Sequence, residues 1–261
     1  MSQPIPPYPT KSNNLLAGKG ALVTAAAGTG LGFATALRFA EEGARLFISD
    51  IHEKRLGDAA DRIEKATGKR PGTKLCNVTK EEEVRALVRA ADDHLGGIDI
   101  LVNNAGLGGS TDVVDMTDDQ WNSVIDVSLN SVFRMCRATL PGMYARKKGA
   151  IINLASVVAW RAQAQQTHYA AAKAGVMAFT RCAAMEAAAH GVRINCIAPS
   201  IAMHAFLAKV ADPALLASLV SQEAFGRSAE PWEVGNVAVF LASDLSSYMT
   251  GEVVSVSSQR A

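Results

Sequence analysis

The sequence predicts an α/β fold in which helices flank a single doubly wound parallel sheet of about seven strands. Three observations indicate this fold. Short apolar runs alternate with helix-like segments along almost all of the 261 residues. Most of these runs are rich in Val, Ile and Leu and lack polar alternation, as expected for strands covered on both faces. Repeated strand–helix units also favour right-handed crossovers, which build such a sheet.

The strands are expected, in order, at residues 21–24, 45–49, 73–76, 98–103, 150–155, 193–197 and 252–256. Helices fill the intervals. Thr79 with Glu82, and Thr117 with Gln120, have the capping-box spacing of helix starts. Residues 121–147 are predicted to be one helix with a late break at Pro141 and Gly142. Together these elements predict one Rossmann-like domain over residues 15–261.

Two segments depart from this alternation. Residues 1–14 contain four prolines and lack the basic-then-apolar order of a signal peptide, so a flexible N-terminal arm is expected. Residues 200–227 form a long connection after the sixth strand, with apolar side chains on one or two short helices. Because ligands bind beyond the carboxyl ends of such strands, the segment is predicted to be a substrate lid. An ordinary amphipathic surface helix is the alternative.

The composition limits the classes of partner. Apolar residues make up 49% of the chain, enough for a sizeable core, and the formal net charge of +1 gives no reason to expect nucleic-acid binding. No apolar run reaches spanning length without interruption, so membrane insertion is not expected. The four cysteines are scattered without metal-ligand spacing. We therefore expect reduced thiols, no metal site and a cytoplasmic location. They are Cys76, Cys136, Cys182 and Cys196.

Ser156, Tyr169 and Lys173 surround the junction of an apolar strand and an alanine-rich helix. Tyr169 and Lys173 are four residues apart, so a helix places them on one face. An ammonium group near a phenol would lower the pKa of the phenol and make it a usable acid or base. Ser156, at the end of the preceding strand, can supply a hydroxyl to the same point. The trio suits proton transfer at an oxygen whose carbon exchanges hydride.

The same spacing occurs a second time in Ser131, Tyr144 and Lys148. Ser131 and Tyr144 fall on one predicted helix, where they would be about 20 Å apart. The spacing alone is therefore weak. The loop between Ser156 and Tyr169 lets the chain fold back, and this context favours the later trio.

A glycine-rich turn follows the first predicted strand, with the sequence Thr-Ala-Ala-Ala-Gly-Thr-Gly-Leu-Gly over residues 24–32. Glycines let a backbone approach a pyrophosphate, and the next helix offers free amides and the positive end of its dipole. The predicted strand before this turn and the predicted helix after it therefore indicate a phosphate site. A plain tight turn is the alternative, because Phe33 stands where a G-x-G-x-x-G motif needs its last glycine.

Asp50 closes the second strand, 22 residues beyond Gly28. A carboxylate there can accept hydrogen bonds from ribose hydroxyls and would repel a 2′-phosphate. The turn offers no cation, so NAD is predicted over NADP. Lys54 and Arg55 are close enough to weaken this preference, and Asp50 could instead be a helix N-cap.

With these residues assembled, the sequence resembles the short-chain dehydrogenase/reductase family, in its β-ketoacyl carrier protein reductase-like branch, over residues 16–256. The motifs are the glycine turn, Asn103-Asn104-Ala105-Gly106, Ser156, Tyr169-x-x-x-Lys173, Pro199, Phe240-Leu-Ala-Ser-Asp244 and Tyr248-Met-Thr-Gly251. The resemblance implies that Tyr169 is the general acid/base, that Lys173 lowers its pKa and bonds the nicotinamide ribose, and that Ser156 bonds the substrate oxygen. The expected cofactor contacts are Thr24, Gly28, Thr29, Gly30, Leu31, Asp50, Asn77, Val78, Asn104, Ala105, Gly106, Tyr169, Lys173, Pro199 and Ile201.

Several positions depart from the family pattern. Ala25 replaces the first glycine of the turn, which is tolerable only if its φ stays negative. Ser128 stands at the active-site asparagine and is expected to complete the catalytic set, with Asn130 on another face of the helix. Asn77 replaces the acid that meets adenine. His204 stands where a threonine often contacts the carboxamide.

These departures resemble the bacterial enzymes that act on steroid-derived acyl-CoA alcohols. The expectation is an NAD-dependent oxidoreductase that interconverts a secondary alcohol and a ketone on a hydrophobic substrate, such as a steroid-derived or other acyl-CoA thioester. The alternatives are a β-ketoacyl thioester reductase using NADPH and a non-catalytic NAD-binding sensor or scaffold. The resemblance implies a homotetramer or homodimer. The expected substrate contacts are Trp160, Met203, His204 and Phe206.

Overall fold

The computed structural model describes residues 2–210 and 213–258, without the side chains of Phe206 and Val210. Within these residues seven parallel strands form one sheet in the order β3-β2-β1-β4-β5-β6-β7. The predicted fold class is confirmed, and a strand lies at each of the seven expected places. The strands are β1 (Gly20–Val23), β2 (Arg45–Asp50), β3 (Gly72–Leu75), β4 (Ile100–Asn103), β5 (Gly149–Leu154), β6 (Val192–Pro199) and β7 (Val253–Val256).

The helices occupy the crossovers between the strands and cover both faces of the sheet. Leu22 belongs to the apolar cluster on one face, and its neighbour Val23 belongs to the cluster on the other. Both side chains are fully buried, which explains why the strands carry no polar alternation. The helices are α1 (Leu31–Glu41), α2 (Glu53–Thr67), α3 (Glu81–Leu95), α4 (Asp118–Ile125), α5 (Ser131–Arg146), α6 (Thr167–Ala188), α7 (Ala205–Val210), α8 (Pro213–Ser221) and α9 (Pro231–Ala242).

The strand order reverses between β1 and β4. Ala21 on β1 pairs with Leu46 on one side and with Ile100 on the other. The crossovers that leave these two strands go to opposite faces of the sheet, which opens a crevice at their carboxyl ends. The glycine turn follows β1, and the loop with Asn104 follows β4, so both border this crevice.

The long central helix differs from its prediction. The expected break at Pro141 is absent, because α5 continues through it to Arg146. The buried residues Thr139 and Met143 keep this stretch packed on the sheet, so tertiary packing outweighs the local signal. The helix is interrupted earlier instead, by a π-helical turn over Asp126–Asn130 between α4 and α5.

One of the two expected capping boxes is present. The Thr117 side chain accepts from the Gln120 amide at the start of α4, as predicted. The second was wrong: α3 has Lys80 as its N-cap, without a capping side chain. The Thr79 amide and hydroxyl both donate to Asn77 Oδ1, at 3.0 and 2.9 Å. That local turn uses the threonine before the helix begins.

The end of the N-terminal arm is held by one buried carboxylate. Glu42 is 2% exposed and pairs with Arg38 in α1, with Nη2 and Oε1 3.1 Å apart. Its other oxygen accepts from the Ser12 hydroxyl and from the Asn13 and Leu15 amides, at 3.3, 3.0 and 3.2 Å. Three donors of the arm therefore converge on a single side chain of the domain.

The first part of the arm crosses towards the segment at residues 200–227. The Tyr8 hydroxyl donates to Glu41 at 2.7 Å, and its ring packs edge-on against Trp232 with centroids 5.5 Å apart. Further towards the N-terminus, the Gln3 amide donates to the Phe225 carbonyl at 2.7 Å. In the described part of the chain, no helix is long and apolar enough to cross a membrane.

Candidate active site

The predicted trio lies at the carboxyl end of β5. Ser156 follows that strand and begins a short 3₁₀ turn, where its Oγ accepts from the Val158 amide at 3.3 Å. Tyr169 and Lys173 lie on the first turns of α6, and the Ser156 hydroxyl is close enough to the Tyr169 phenol to lower its pKa. The Lys173 ammonium lies 5.6 Å from the centroid of the Tyr169 ring. The loop before α6 thus brings together three side chains from two elements.

The electrostatics of the trio differ from the expectation. Burial raises the pKa of Tyr169 above its ordinary value, and the hydrogen bond from Ser156 acts in the opposite direction. Burial also lowers the pKa of Lys173 to about 8. The predicted net lowering of the Tyr169 pKa is therefore not found in this structure, because burial is the larger cause and the side chain that lowers this pKa is Ser156, not Lys173.

Lys173 is directed to the backbone of β5 and to the loop after β4. Its ammonium donates to the Leu154 carbonyl at 2.6 Å, and the side chain is 3% exposed. A methyl group on Gly106 would lie 3.3 Å from Lys173 Nζ. The absence of a side chain at Gly106 therefore keeps space beside the ammonium.

Ser128 lies in the π-helical turn and is fully buried. Its hydroxyl donates to the Leu107 carbonyl at 3.0 Å and accepts from the Leu107 amide at 2.9 Å. Both bonds fix the loop after β4, so the hydroxyl supports that loop. Asn130 donates to Asp126 at 3.0 Å, which agrees with its expected place on another face.

Thr24 and Asn104 connect the glycine turn to the loop after β4. The Thr24 hydroxyl donates to the Val102 carbonyl at 3.2 Å and accepts from the Asn104 amide at 3.0 Å. The Asn104 side chain donates to the Ala25 carbonyl at 2.9 Å. A Cβ on Gly32 would lie 2.4 Å from that carbonyl oxygen, so only glycine fits there. These contacts shape the turn before any ligand binds.

Ala25 does not have the negative φ that the sequence analysis required of it. Its φ is +49°, in the left-handed region that disfavours residues with a Cβ. The expectation of a negative φ was wrong because the Ala25 carbonyl must face both Asn104 and the start of α1. The conformation costs about 1–2 kcal/mol relative to a relaxed backbone.

The turn between β1 and α1 fits a pyrophosphate. Gly28 has a φ of +92°, and no atom lies within 4 Å of the place where its Cβ would be. Gly30 is the N-cap of α1 and has no capping side chain, so the first amides of the helix are free of such a partner. Leu31 begins the helix, and Thr29 is exposed beside it.

Arg62 also contacts this turn, and the sequence analysis missed it. Its Nη1 donates to the Gly28 carbonyl at 2.8 Å, and its guanidinium lies 3.8 Å from the centroid of the Phe33 ring. The residue belongs to α2, far along the chain from the turn. No local signal could have found this contact.

The predicted adenosine contacts lie at the ends of β2 and β3. The Asp50 carboxylate accepts from the Ala27 amide at 3.2 Å and from the His52 amide at 3.0 Å. Burial raises the pKa of Asp50. His52 is the N-cap of α2, so the alternative of Asp50 as an N-cap was wrong. Asn77 is half-buried after β3, and Val78 is buried beside it.

The remaining predicted residues lie around the carboxyl ends of β4 and β6. Pro199 is the last residue of β6, and Ile201 after it is buried. Ala105 follows Asn104 and is buried, with its amide 3.4 Å from the Thr24 hydroxyl.

The expected substrate residues are divided between two places. Trp160 is 52% exposed after β5, and Met203 is half-buried after β6. The His204 ring would lie 3.7 Å from a Cβ on Gly30, so it borders the phosphate turn. Its Nδ1 accepts from the Leu207 amide at 3.3 Å, and burial lowers its pKa. The Phe206 side chain lies outside the described residues.

Across residues 2–210 and 213–258, no cluster of three or more His, Cys, Asp or Glu is placed to hold a metal ion. The turn after β1, the carboxylate after β2 and the trio after β5 instead border one crevice. A dinucleotide laid across it would meet all three.

Comparisons with known proteins agree with this geometry. A family model described as Enoyl-(Acyl carrier protein) reductase matches residues 25–258. The chain is 55% identical, over 99% of both proteins, to (5R,7aS)-5-hydroxy-7a-methyl-1-oxo-2,3,5,6,7,7a-hexahydro-1H-indene-carboxyl-CoA reductase of Mycobacterium tuberculosis. It is 38% identical to 3-oxoacyl-[acyl-carrier-protein] reductase of Thermotoga maritima, over 92% of this chain and 97% of that protein. The crystal structure of a short chain dehydrogenase from Mycobacterium smegmatis superposes with a TM-score of 0.87 at 52% identity, over 98% of both chains.

Proposed function

Because this chain belongs to the short-chain dehydrogenase/reductase family, we propose that it interconverts a secondary alcohol and a ketone on a steroid-derived or similar acyl-CoA thioester, with NAD as its cofactor. It is an oxidoreductase, and the cofactor of the family is a nicotinamide dinucleotide. The observation that carries the proposal is that Ser156, Tyr169 and Lys173 lie at the same edge of the sheet as the glycine turn, with the loop after β4 between them. This arrangement sets a proton donor next to a dinucleotide crevice.

The substrate class rests on the relative at 55% identity, whose name specifies a hydroxy-oxo hexahydroindene ring with a carboxyl-CoA group. A fused ring of this kind needs an apolar surface. Trp160, exposed after β5, and the apolar helices α7 and α8 after β6 can provide it. We assign α7 and α8 to a lid over the substrate.

The chemistry follows from the hydrogen bonds of the trio. A bound nicotinamide would exchange hydride with the carbinol carbon. Tyr169, kept protonated by burial, would donate its proton to the carbonyl oxygen during reduction and accept one during oxidation. Ser156 would hold the same oxygen. Lys173 would hold a ribose hydroxyl and keep its positive charge near the phenol.

The direct test of this function is the substitution Tyr169→Phe. Because it removes the proton donor and keeps the ring, turnover should fall by about 10²- to 10⁴-fold while NAD still binds. The assay is absorbance at 340 nm across secondary alcohols that include steroid-acid CoA thioesters. Tyr144→Phe is the matched control, since Tyr144 has the same sequence spacing but lies on α5. Full activity in Tyr169→Phe would remove Tyr169 from the mechanism.

The preference for NAD is supported by Asp50, whose carboxylate closes β2 beside the glycine turn. Residues 25–27 carry no charge, although Arg62 contacts the Gly28 carbonyl nearby. We expect NAD to bind at least about tenfold more tightly than NADP, and Asp50→Asn to reduce this ratio because the repelling charge is lost. Calorimetric titration with both cofactors measures the ratio, and Glu53→Gln serves as the control. Equal dissociation constants in the unsubstituted protein would contradict the assignment.

Reduction of β-ketoacyl thioesters is the second candidate, favoured by the 38% identity to a 3-oxoacyl-[acyl-carrier-protein] reductase. A strong NADP preference in the same titration would support it.

We further propose a cytoplasmic homotetramer or homodimer. Cys76, Cys136 and Cys196 are buried free thiols, which suits a reducing compartment. Trp121 on α4 and Phe133 on α5 are exposed aromatic side chains that a partner copy could cover.

A further inference from the structure

A cleft of about 280 Å³ lies beside Tyr169, outside the residues assigned above to chemistry or cofactor. Its walls come from the loop after β4, the first turns of α4 and the start of α6. Gly108 belongs to the wall, and a Cβ on it would lie 4.0 Å from Tyr169 Cδ2. The cleft is therefore separated from the catalytic ring by one glycine. Its volume suits a part of a ligand, since complete small-molecule pockets are usually larger.

His168 lines this cleft and has an unusual environment. The residue is 1% exposed, and its Nδ1 is buried without a hydrogen-bond partner among the described residues. A Cβ on Gly109 would lie 2.8 Å from His168 Nε2, so the glycine makes room for the ring. A buried polar atom without a partner destabilises a protein unless a ligand or water completes it. His168 Nδ1 is therefore a hydrogen-bonding atom that no described residue satisfies.

The loop opposite His168 is fixed. The Ser110 hydroxyl donates to Gln165 Oε1 at 2.6 Å, and the Thr111 amide donates to the Gln165 carbonyl at 3.1 Å. Ser128 holds Leu107 at the other end of the same loop. Because both ends are tied, the wall of the cleft is preorganised.

The other walls indicate the kind of ligand. Asp119 contributes a carboxylate, which disfavours an anion, whereas Gln120 and Ser123 contribute neutral polar side chains. His168 lines the same cleft, and an imidazole can bond an uncharged hydroxyl or carbonyl oxygen. The substrate class proposed above carries two such oxygens on one ring system, and only one of them reacts at Tyr169.

We propose that this cleft receives the non-reacting oxygen of the substrate and that His168 is its hydrogen-bonding partner. This inference rests on the proposed function, because it assigns the specificity of the same site. His168 precedes Tyr169 on the same turn of α6, so the two oxygens would be held from adjacent residues. A site that bonds a substrate oxygen discriminates strongly against the analogue without it.

The test compares two CoA thioesters of one fused bicyclic acid, one with a hydroxy and an oxo group and one lacking the non-reacting oxygen. Calorimetry with the NAD-loaded protein should show at least about tenfold tighter binding of the first thioester. His168→Phe should abolish this difference in affinity by weakening the binding of the first thioester alone. His168→Gln should recover part of the difference, because glutamine can still form a hydrogen bond. In turnover assays of His168→Phe, KM should change for the thioester that carries both oxygens, whereas kcat for the thioester that lacks the non-reacting oxygen should stay the same.

The control is His190→Gln, a histidine that stacks on Tyr144 outside the cleft and should leave the ratio unchanged. Thermal unfolding and NAD affinity check that each variant is folded. Equal affinities of the unsubstituted protein for the two thioesters, or an unchanged ratio in folded His168→Phe, would overturn the subsite. Discrimination in binding without turnover of either thioester would count against the proposed reaction and not against the subsite.

Discussion

Burial moves both titratable groups beside Ser156 towards their uncharged forms. The pKa of Tyr169 is raised, so its phenol keeps a proton at neutral pH, and the pKa of Lys173 is lowered to about 8. A protonated phenol is the form needed to reduce a ketone. The opposite direction needs a phenolate, which forms only at alkaline pH. Ketone reduction and alcohol oxidation therefore require opposite protonation states of Tyr169, and their rates should depend on pH in different ways.

We expect kcat/KM for alcohol oxidation to rise from pH 7 to pH 9, because ionisation of Tyr169 is the limiting requirement and its pKa is raised. For ketone reduction, kcat/KM should be flat near neutrality and fall at alkaline pH, as Lys173 and then Tyr169 lose their protons. Initial rates in both directions at constant ionic strength measure this. An oxidation rate with a maximum near pH 6 would contradict it.

A second expectation at this scale concerns Ala25, whose positive φ strains the glycine turn. Ala25→Gly removes the Cβ that opposes this conformation, so the free energy of unfolding should increase by about 1 kcal/mol. Ala27→Gly is the control, because its φ is not positive and extra freedom in the unfolded chain should decrease stability. Urea denaturation of both variants gives the sign. A loss of stability in Ala25→Gly would show that its Cβ contributes packing that outweighs the strain.

At the scale of elements, the arm joins α1 to the segment after β6 by few contacts. Glu42, the C-cap of α1, pairs with Arg38 and accepts from three donors of the arm, while Tyr8 packs on Trp232 of α9. The Gln3 amide of the arm then bonds the Phe225 carbonyl, after α8. The arm therefore connects the segment after β6 to a buried ion pair at the C-terminal end of α1.

Glu42→Gln should lower the free energy of unfolding by about 2 kcal/mol, because the buried Arg38 would lose one of its two carboxylate partners and keep only Glu41. The arm should also become more accessible, since one carboxylate oxygen holds three of its groups. Urea denaturation measures the first effect, and limited proteolysis measures the second. Asp244→Asn is the control: its pair with Lys19 is exposed, so the change should stay within about 1 kcal/mol. Equal effects of the two substitutions would contradict this role of Glu42.

At the scale of the whole molecule, local patterns predicted the sheet because each strand is a short apolar run between breaks. The family motifs likewise predicted which side chains meet after β5. The sequence could not predict effects that depend on distant packing. Pro141 continues a helix that the sheet supports, and desolvation reverses the expected pKa shift of Tyr169. Arg62 and His168 acquire their neighbours only when remote segments fold together.

Residues near both ends of the described chain meet at residues 223–225, after α8. The Gln3 amide bonds the Phe225 carbonyl, and the Ala224 amide donates to the Ser258 carbonyl at 2.6 Å. Glu223 is buried beside them and accepts from the Ser258 amide and hydroxyl. An affinity tag joined beyond Gln3 or Ser258 would therefore start from beside the segment that we propose as a lid, and kinetic constants from tagged and cleaved protein should be compared before they are assigned to the enzyme.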